Sequence, residues 1–189
     1  MNASITPPST STANPSRWDL DRLVAEIVRR HTEAPLRMTG SFVFDADTAT
    51  VFEQVTDPAR IAEWFGLVKG GSFDHAGSCN PGTLGAGTRR VCHTRGMGDL
   101  DETFFYYDAL YACVYRVKNA MMPVVDHAAV MVLEPLGPSR TRFTWQQYYN
   151  LKGVMMRFVF PSMLRSMMNR GLATLTRQLG GEPSEMVAV

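Results

Sequence analysis

The amino-acid sequence predicts an α+β fold in which a curved antiparallel sheet of seven strands wraps around one long C-terminal helix. Between residues 154 and 179, apolar side chains recur at three- and four-residue spacing, which is one face of an α-helix. Between residues 36 and 149, most segments alternate polar and apolar residues and are joined by short turns, which is typical of antiparallel strands. A long amphipathic helix after a run of strands must bury its apolar face, so the sheet is its expected partner.

Two segments at the start of the chain are predicted to lie outside this sheet. Residues 1–16 are rich in Ser, Thr, Pro and Asn and lack the apolar stretch of a secretory signal, so we expect a disordered tail. Residues 17–33 carry apolar side chains at helical spacing, with acids early and bases late, which predicts an additional N-terminal helix ending before Pro35. We expect this helix to pack on the outside of the domain or on a partner subunit, so a homodimer is worth testing.

The main domain is predicted to cover residues 36–181 and to begin with one strand and two short helices. The first strand is assigned to residues 37–45, after which Asp47 or Thr48 caps the first short helix. Thr56, Asp57 and Pro58 begin the second, with proline at an early position where its missing N–H costs nothing. The six remaining strands are predicted at 68–75, 88–95, 100–108, 110–118, 127–134 and 141–149.

Proline and glycine set the limits of the long C-terminal helix. Gly180 and Gly181 follow its last apolar residue, where a left-handed cap commonly ends a helix. Pro161 is predicted to kink the helix or to restart it, which would leave Val154–Phe160 as a separate turn. Residues 182–189 are expected to form a C-terminal tail.

Composition excludes several classes of protein. The chain has 189 residues, 45% of them hydrophobic and 20% charged, which suits one globular core. A formal charge of +1 gives no electrostatic case for a nucleic-acid partner. Three widely spaced cysteines argue against a disulfide scaffold, and no apolar run is long enough for a membrane span, so we expect a cytoplasmic protein. The arginines on the back of the last helix indicate a solvated face, with an anionic partner or a membrane as the alternative.

Known motifs of cofactor and metal chemistry are missing from the sequence. The Gly-rich stretch at residues 76–87 does not open a helix and is not followed by Gly-Lys-Ser/Thr, so it predicts a loop and no phosphate site. The histidines and cysteines show no metal-ligand spacing, and there is neither a G-x-S-x-G elbow nor a His-Glu-x-x-His pair. We therefore expect no cofactor and no metal.

The order and local sequence of the predicted elements resemble those of a known superfamily. The resemblance rests on residues 55–64 (VTDPARIAEW), 87–90 (GTRR), 115–117 (YRV) and 141–145 (TRFTW), together with Glu102 and the Tyr107-Asp108 pair. It identifies the chain with the START-like, helix-grip superfamily (SRPBCC) and with its polyketide cyclase/dehydrase-like branch. The resemblance implies a cavity between the curved sheet and the long helix that holds an apolar small molecule.

Strand periodicity indicates which side chains would line such a cavity. Residues on one face of a strand alternate with those on the other, and the apolar face should point inward. The candidate acid/base residues are Glu102, Tyr106, Tyr115 and His127. The simpler interpretation of Glu102 is an ion pair with Arg90, and that of His127 is a surface or packing residue. The candidate ligand-binding residues are Trp64, Arg90, Glu102, Phe104, Tyr106, Tyr115, Val117, Met131, Phe143, Trp145, Gln147, Tyr149, Phe158, Met163 and Met167.

Three hypotheses of function remain open from the sequence. The first is a binding domain that holds a hydrophobic or aromatic small molecule in the cavity. The second is an enzyme of the polyketide cyclase/aromatase or dehydratase type, which needs an inward acid/base group and an anchor for a ligand oxygen. The third is a protein-interaction domain that docks through its amphipathic helices. The methionines at 121 and 122 and on the last helix indicate ordinary core packing, and the alternative is a pliable lid over the cavity, made by residues 121–123 (Met-Met-Pro) and the start of that helix.

Overall fold

The computed structural model describes residues 17–189, with side chains from residue 20 onward, so the predicted disordered tail lies outside the described residues. It confirms the α+β fold with a long C-terminal helix, but the sheet has eight strands and not seven. The helices are α1 (Arg17–His31), α2 (Thr48–Thr56), α3 (Pro58–Trp64) and α4 (Met156–Leu179). The strands are β1 (Leu36–Phe44), β2 (Val68–Asp74), β3 (Arg89–Thr94), β4 (Asp99–Asp108), β5 (Ala112–Lys118), β6 (Val124–Gly137), β7 (Arg140–Leu151) and β8 (Val187–Ala188).

The sheet is antiparallel throughout, in the order β2-β3-β4-β5-β6-β7-β1-β8. Consecutive strands from β2 to β7 are neighbours because their connections are short. β1 lies between β7 and β8, at the opposite end of the sheet from β2. The α2–α3 segment, which connects β1 to β2, must therefore cross the whole sheet. The concave face and α4 enclose the main apolar core of the protein.

Side-chain caps begin both short helices, as the sequence predicts. The Asp47 carboxylate accepts a hydrogen bond from the Thr50 N–H at 2.8 Å, and the Asp57 carboxylate accepts one from the Ala59 N–H at 2.8 Å. Each bond satisfies an N–H that has no partner within the helix. The caps fix where the chain turns, and the two helices close the concave side of the sheet beside α4.

Helix α4 runs continuously through Pro161, so the predicted separate turn at Val154–Phe160 is wrong. Pro161 lies in the second turn, where its missing N–H removes a single bond to the Arg157 carbonyl near the exposed end of the helix. The first turn is wound more tightly, with hydrogen bonds of the 3-10 type. The N–H of Arg157 donates to the Val154 carbonyl and that of Phe158 to the Met155 carbonyl, each at 3.2 Å.

Helix α1 packs on the convex face of the sheet, on the outside of the domain. Its Leu20, Val24 and Val28 bury the outer side chains of the central strands, including Val114 and Val130. This arrangement explains why β6 is apolar on both faces and why its periodicity cannot indicate an inner side. At its end, the Thr32 hydroxyl donates to the Asp126 carbonyl at 2.7 Å, and the His31 ring stacks on Phe105 with centroids 4.1 Å apart.

The last residues of the chain return to the sheet as its eighth strand. β8 pairs with β1, and the preceding Met186 is fully buried in the main core. The side chain of Asn169 on α4 accepts a hydrogen bond from the Met186 N–H at 2.7 Å. The segment expected as a C-terminal tail therefore joins the edge of the sheet to the long helix. Within residues 17–189, no helix is both long and apolar enough to cross a membrane.

Candidate functional site

A cavity of about 150 Å³ lies between the concave face of the sheet, α3 and α4. Its wall is mainly apolar and rich in methionine, aromatic rings and branched aliphatic side chains. The lining residues are Val55, Ile61, Trp64, Phe65, Leu67, Val68, Arg90, Cys92, Met97, Leu100, Glu102, Tyr115, Val117, Met122, Val124, His127, Met131, Trp145, Gln147, Phe160, Met163, Leu164, Met167 and Met168. An apolar enclosure with a few polar groups is the usual make-up of a small-molecule site.

Helix α3 is held tightly against α4 and forms one wall of the cavity. The Trp64 indole N–H donates to the Gln54 carbonyl at 2.9 Å, which fixes its ring. Gly171 lets α4 approach closely, because a Cβ at this position would stand 2.5 Å from Cδ2 of Phe65. The two aromatic rings therefore pack directly against the backbone of α4.

An ion pair between Arg90 and Glu102 lies in the cavity wall. The two residues are opposite each other on β3 and β4, and Nε of Arg90 is 2.5 Å from Oε2 of Glu102. Their exposed fractions are only 1% and 5%. Nη1 of Arg90 also donates to the Thr56 carbonyl at 2.7 Å, which ties the sheet to the end of α2.

Aromatic rings and a thiol complete the surroundings of this pair. The guanidinium carbon of Arg90 lies 5.2 Å from the Phe104 ring centroid and 5.1 Å from that of Tyr115. Burial alone would lower the pKa of Arg90, but the charge of Glu102 outweighs it and raises that pKa above its ordinary value. Burial also raises the pKa of the Cys92 thiol, which donates to Glu102 at 3.4 Å and stays protonated.

His127 and Gln147 form the second polar group of the cavity. The Nδ1 atom of His127 accepts a hydrogen bond from the Val117 N–H at 3.1 Å, which places the proton on Nε2. Nε2 then donates to Oε1 of Gln147 at 2.9 Å. Burial lowers the pKa of His127 to about 4, so the ring is neutral at pH 7.

Tyr115 and Trp145 bring two further polar atoms to the cavity. Burial raises the pKa of the Tyr115 hydroxyl well above its ordinary value, and the neighbouring Trp145 indole opposes a small part of that rise. The indole N–H of Trp145 is itself buried and has no hydrogen-bond partner of normal geometry in the part of the chain that the structure describes. The Trp145 indole N–H therefore interacts with the Tyr115 hydroxyl too weakly to form a hydrogen bond of normal geometry, so its capacity as a donor is not fully used.

The sequence profile of one protein family matches residues 35–180 of the chain, and its description reads "Polyketide cyclase / dehydrase and lipid transport". The chain belongs to this family. The match covers the sheet, the two short helices and α4, and it leaves α1 outside. No curated protein matches the chain significantly.

Solved structures show that the fold of this family member is the helix-grip fold of START-like proteins. A START superfamily protein from Mycobacterium smegmatis is similar over 76% of this chain and 99% of its own, with 14% identity and a TM-score of 0.56. An HSP90 activator from Plasmodium falciparum has 11% identity and a TM-score of 0.57, over 78% of this chain and 99% of its own. The di-domain ARO/CYC protein BexL, from the BE-7585A biosynthetic pathway, has 15% identity and a TM-score of 0.57, over 75% of this chain and 45% of its own.

Ten of the side chains that the sequence nominated for ligand binding line the cavity of this family member. They are Trp64, Arg90, Glu102, Tyr115, Val117, Met131, Trp145, Gln147, Met163 and Met167. The candidate acid/base residues Glu102, Tyr115 and His127 lie in the same wall, and both of the simpler interpretations hold, since Glu102 is ion-paired and His127 is packed.

The other five nominated side chains do not line the cavity. Tyr106 was expected to share the inner face of Glu102, but a register shift between Phe104 and Tyr106 reverses the alternation. Tyr107 consequently points into the main core, and Tyr106 packs on the convex face near α1. The predicted inward orientation of Tyr106 is therefore wrong, and so is its candidacy as an acid or base.

The remaining four are excluded by their positions. Phe104 is in the core behind Arg90, and Phe143 packs with Phe42 and Phe44 away from the cavity. The Tyr149 ring contacts the Phe160 ring edge-on, with centroids 5.9 Å apart. Phe158 is 79% exposed on the outer face of α4.

Some lining residues were not identified from the sequence, although local signals existed for several of them. Cys92 follows Arg90 by two positions and so shares its face of β3. Phe160, Leu164 and Met168 follow one another at four-residue spacing along the inner face of α4. No local signal marks Val68 and Leu100, because only the pairing of β2, β3 and β4 brings them together. Within residues 17–189, no three His, Cys, Asp or Glu side chains are grouped so as to hold a metal ion.

Proposed function

We propose that this protein binds a hydrophobic or aromatic small molecule in the cavity between the sheet and α4. The observation that carries this proposal is the enclosure itself, whose wall is apolar apart from a few buried polar groups. The two strongest polar pairs, Arg90 with Glu102 and His127 with Gln147, already satisfy each other. The cavity can therefore accept an apolar molecule without leaving a charge unpaired.

The size of the cavity limits the ligand that this conformation can hold. A volume of about 150 Å³ equals that of an engineered protein cavity that takes up benzene. A ligand the size of one aromatic ring fits without rearrangement, whereas a polycyclic molecule requires the wall to open. The methionines at 97, 122, 131, 163, 167 and 168 allow some adaptation, because their side chains are unbranched and flexible.

The indole N–H of Trp145, which makes no hydrogen bond of normal geometry, adds a preference for a ligand that carries an oxygen acceptor. A buried donor without an acceptor is unfavourable by about 1–3 kcal/mol, and a ligand oxygen in reach of it would remove that cost. We therefore infer that the preferred ligand carries a carbonyl or hydroxyl oxygen in addition to its apolar body.

Catalysis of the cyclase or dehydratase type is the second candidate, and the family match favours it. The protonation states in the cavity favour binding instead. His127 is neutral with both ring nitrogens in hydrogen bonds, and burial keeps the Cys92 thiol and the Tyr115 hydroxyl protonated. A general acid or base works best with a pKa near the working pH, and none of these three groups meets that condition.

Docking of a protein partner through α1 has less support than either cavity function. The apolar side chains of α1 that would serve a partner are buried on the convex face of its own sheet. A filled core without a cavity would favour this third hypothesis, whereas this core contains a cavity.

Native mass spectrometry of the purified protein, with extraction of any bound molecule, is the first test. Calorimetric titration with toluene and phenol follows, since they share one ring and differ in the oxygen. We expect both to bind, and phenol to bind with higher affinity than toluene. Trp145→Phe should abolish that difference in affinity. Leu164→Trp, which fills the cavity, should prevent uptake, whereas Leu23→Trp on the exposed side of α1 should not.

The outcomes distinguish a ligand-binding protein from an enzyme and from a protein that has neither function. Absence of a bound molecule, together with no uptake of either ligand, would overturn the proposal. If the extracted molecule is converted during incubation, and Tyr115→Phe or Glu102→Gln stops the conversion without preventing uptake, the cyclase or dehydratase alternative replaces it.

A further inference from the structure

A patch of exposed apolar side chains lies at the start of α4. We name it the α4 tip, and it consists of Val154, Met155, Phe158 and Val159. Their exposed fractions are 71%, 81%, 79% and 58%, the largest such group among the described residues. Isolated exposed apolar residues are ordinary, but four large ones within six positions mark an interaction surface.

The sequence segment that contains the α4 tip carries only basic charged side chains. Residues 151–181 contain Lys152, Arg157, Arg165, Arg170 and Arg177 and not one Asp or Glu. Lys152 and Arg157 are exposed and stand beside or within the apolar tip. This combination of apolar and basic side chains is complementary to an anionic lipid surface, where acyl chains lie beneath negative headgroups.

The α4 tip is adjacent to the cavity. Phe160 and Met163, one turn further along the helix, line the cavity wall. The Lys152 N–H donates to the Pro123 carbonyl at 2.8 Å, so the turn before β6 lies at the same end of the molecule. In that turn Met122 lines the cavity, while Met121 is 65% exposed. An apolar surface therefore continues from the tip to residues that line the cavity.

We propose that the α4 tip docks this protein on the surface of an anionic phospholipid bilayer. Val154, Met155, Phe158 and Val159 insert among the acyl chains near the headgroups, and Lys152 and Arg157 contact lipid phosphates. Docking places Met122, Phe160 and Met163 of the cavity wall near the bilayer, so an apolar ligand can pass between membrane and cavity without crossing water. This inference goes beyond ligand binding, because docking does not depend on which molecule the cavity holds.

A second copy of the chain is the main competitor for the α4 tip. Two copies that meet tip to tip would bring Lys152 and Arg157 of each close to those of the other, with no carboxylate in residues 151–181 to compensate. Like charges across an interface oppose association. The same charges attract anionic lipid, so the bilayer is the occupant that this surface fits.

Co-sedimentation of the full chain with lipid vesicles tests the proposal. We expect binding to phosphatidylcholine vesicles that contain phosphatidylglycerol, little binding to pure phosphatidylcholine, and weakening by added salt. Phe158→Glu should reduce the vesicle partition coefficient by about tenfold or more, because it places a carboxylate where an aromatic ring inserts. The matched control Leu136→Glu, at an exposed apolar position near the end of β6, should leave it unchanged.

Three results would overturn the inference. The first is no binding to either kind of vesicle. The second is an equal effect of Phe158→Glu and Leu136→Glu on vesicle binding. The third is a dimer in solution that Phe158→Glu dissociates while vesicle binding stays unchanged. Uptake of toluene and phenol by the Phe158→Glu variant in solution is measured in parallel and should match that of the unmodified chain. Failure of docking is thereby distinguished from failure of the cavity to bind, since each has its own readout.

Discussion

Arg90 and Glu102 face each other across β3 and β4 and form an ion pair that is almost completely shielded from water. One position earlier on β3, Arg89 pairs with Asp101 on the opposite face of the sheet, where both side chains reach solvent. The same two strands thus carry both a buried and an exposed arginine–carboxylate pair. The contrast allows the energetic effect of burial to be measured within one structural context.

Removal of one partner of the buried pair should destabilise the protein strongly. We expect Arg90→Met or Glu102→Leu alone to lower the free energy of unfolding by about 3–5 kcal/mol, because each leaves an unpaired charge in an apolar wall. The double variant should cost clearly less than the sum of the two. Urea denaturation of the four proteins measures this coupling.

The exposed pair on the same strands provides the control. Arg89→Met and Asp101→Leu should each change stability by no more than about 1 kcal/mol, because water screens their interaction. Equal losses of unfolding free energy at the two pairs, or losses that simply add in the double variant of the buried pair, would show that burial does not govern the strength of the Arg90–Glu102 interaction.

His127 should make stability depend on pH in a defined window. Its pKa is about 4 in the folded protein against an ordinary value of 6.5, so unfolding takes up a proton between these values. The contribution of neutral His127 is complete above about pH 6.5 and is lost as the pH falls toward 4. The loss should be on the order of 3 kcal/mol.

Comparison with a variant isolates this effect from that of the carboxylates. His127→Gln should remove the His127 part of the decline in unfolding free energy between pH 6.5 and 4, measured by urea titration at several pH values. His93→Gln, at an exposed position on β3, should retain the decline. A His127→Gln profile parallel to that of the unmodified chain would contradict the lowered pKa of His127.

Gly171→Ala should destabilise the protein although alanine favours helix more than glycine does. The new Cβ would lie 2.5 Å from Cδ2 of Phe65 and 3.3 Å from Cζ3 of Trp64, so α4 or α3 must move. Crowding of this kind costs about 1–3 kcal/mol, against about 1 kcal/mol gained in helix propensity. Ser166→Ala, on the exposed side of the same helix, should stabilise slightly. Thermal unfolding of both variants tests the sign, and a higher midpoint for Gly171→Ala would refute the close packing.

Met186 should behave as a core residue in spite of its position near the C-terminus. Its side chain is fully buried, so Met186→Ala should cost about 2–5 kcal/mol. The exposed neighbour Glu185 offers a control, and its replacement by alanine should have an effect within about 0.5 kcal/mol. Chemical denaturation distinguishes the two cases, and similar small effects at both sites would mean that the C-terminal segment contributes little to the core.

The sequence allowed the large elements to be predicted because their signals are local. Apolar residues at helical spacing located α1 and α4, Asp47 and Asp57 marked the starts of α2 and α3, and alternation located seven strands. β8 could not be predicted in this way, because two residues carry no usable period. Its pairing depends on the edge that β1 leaves open and on the bond between Asn169 and Met186.

The cavity wall was only partly predictable, for reasons that differ between residues. Strand parity placed Glu102, Tyr115 and Trp145 correctly, but the register shift after Phe104 turned Tyr106 to the convex face. The irregularity comes from pairing with β5 and has no sequence signal of its own. Phe158 shares an apolar helix start with Phe160, yet only the contact of α4 with the sheet determines which ring is buried.

The amino-acid sequence alone therefore determined the α+β class, the order of the elements, the family and about half of the residues that line the cavity. These properties follow from short-range periodicity, turn chemistry and residue type. The tertiary structure decided that Arg90 pairs with Glu102, that burial keeps His127 neutral between Val117 and Gln147, and that the α4 tip remains uncovered. Each of these depends on strand register and helix placement, which join residues far apart in the chain and leave no local pattern in it.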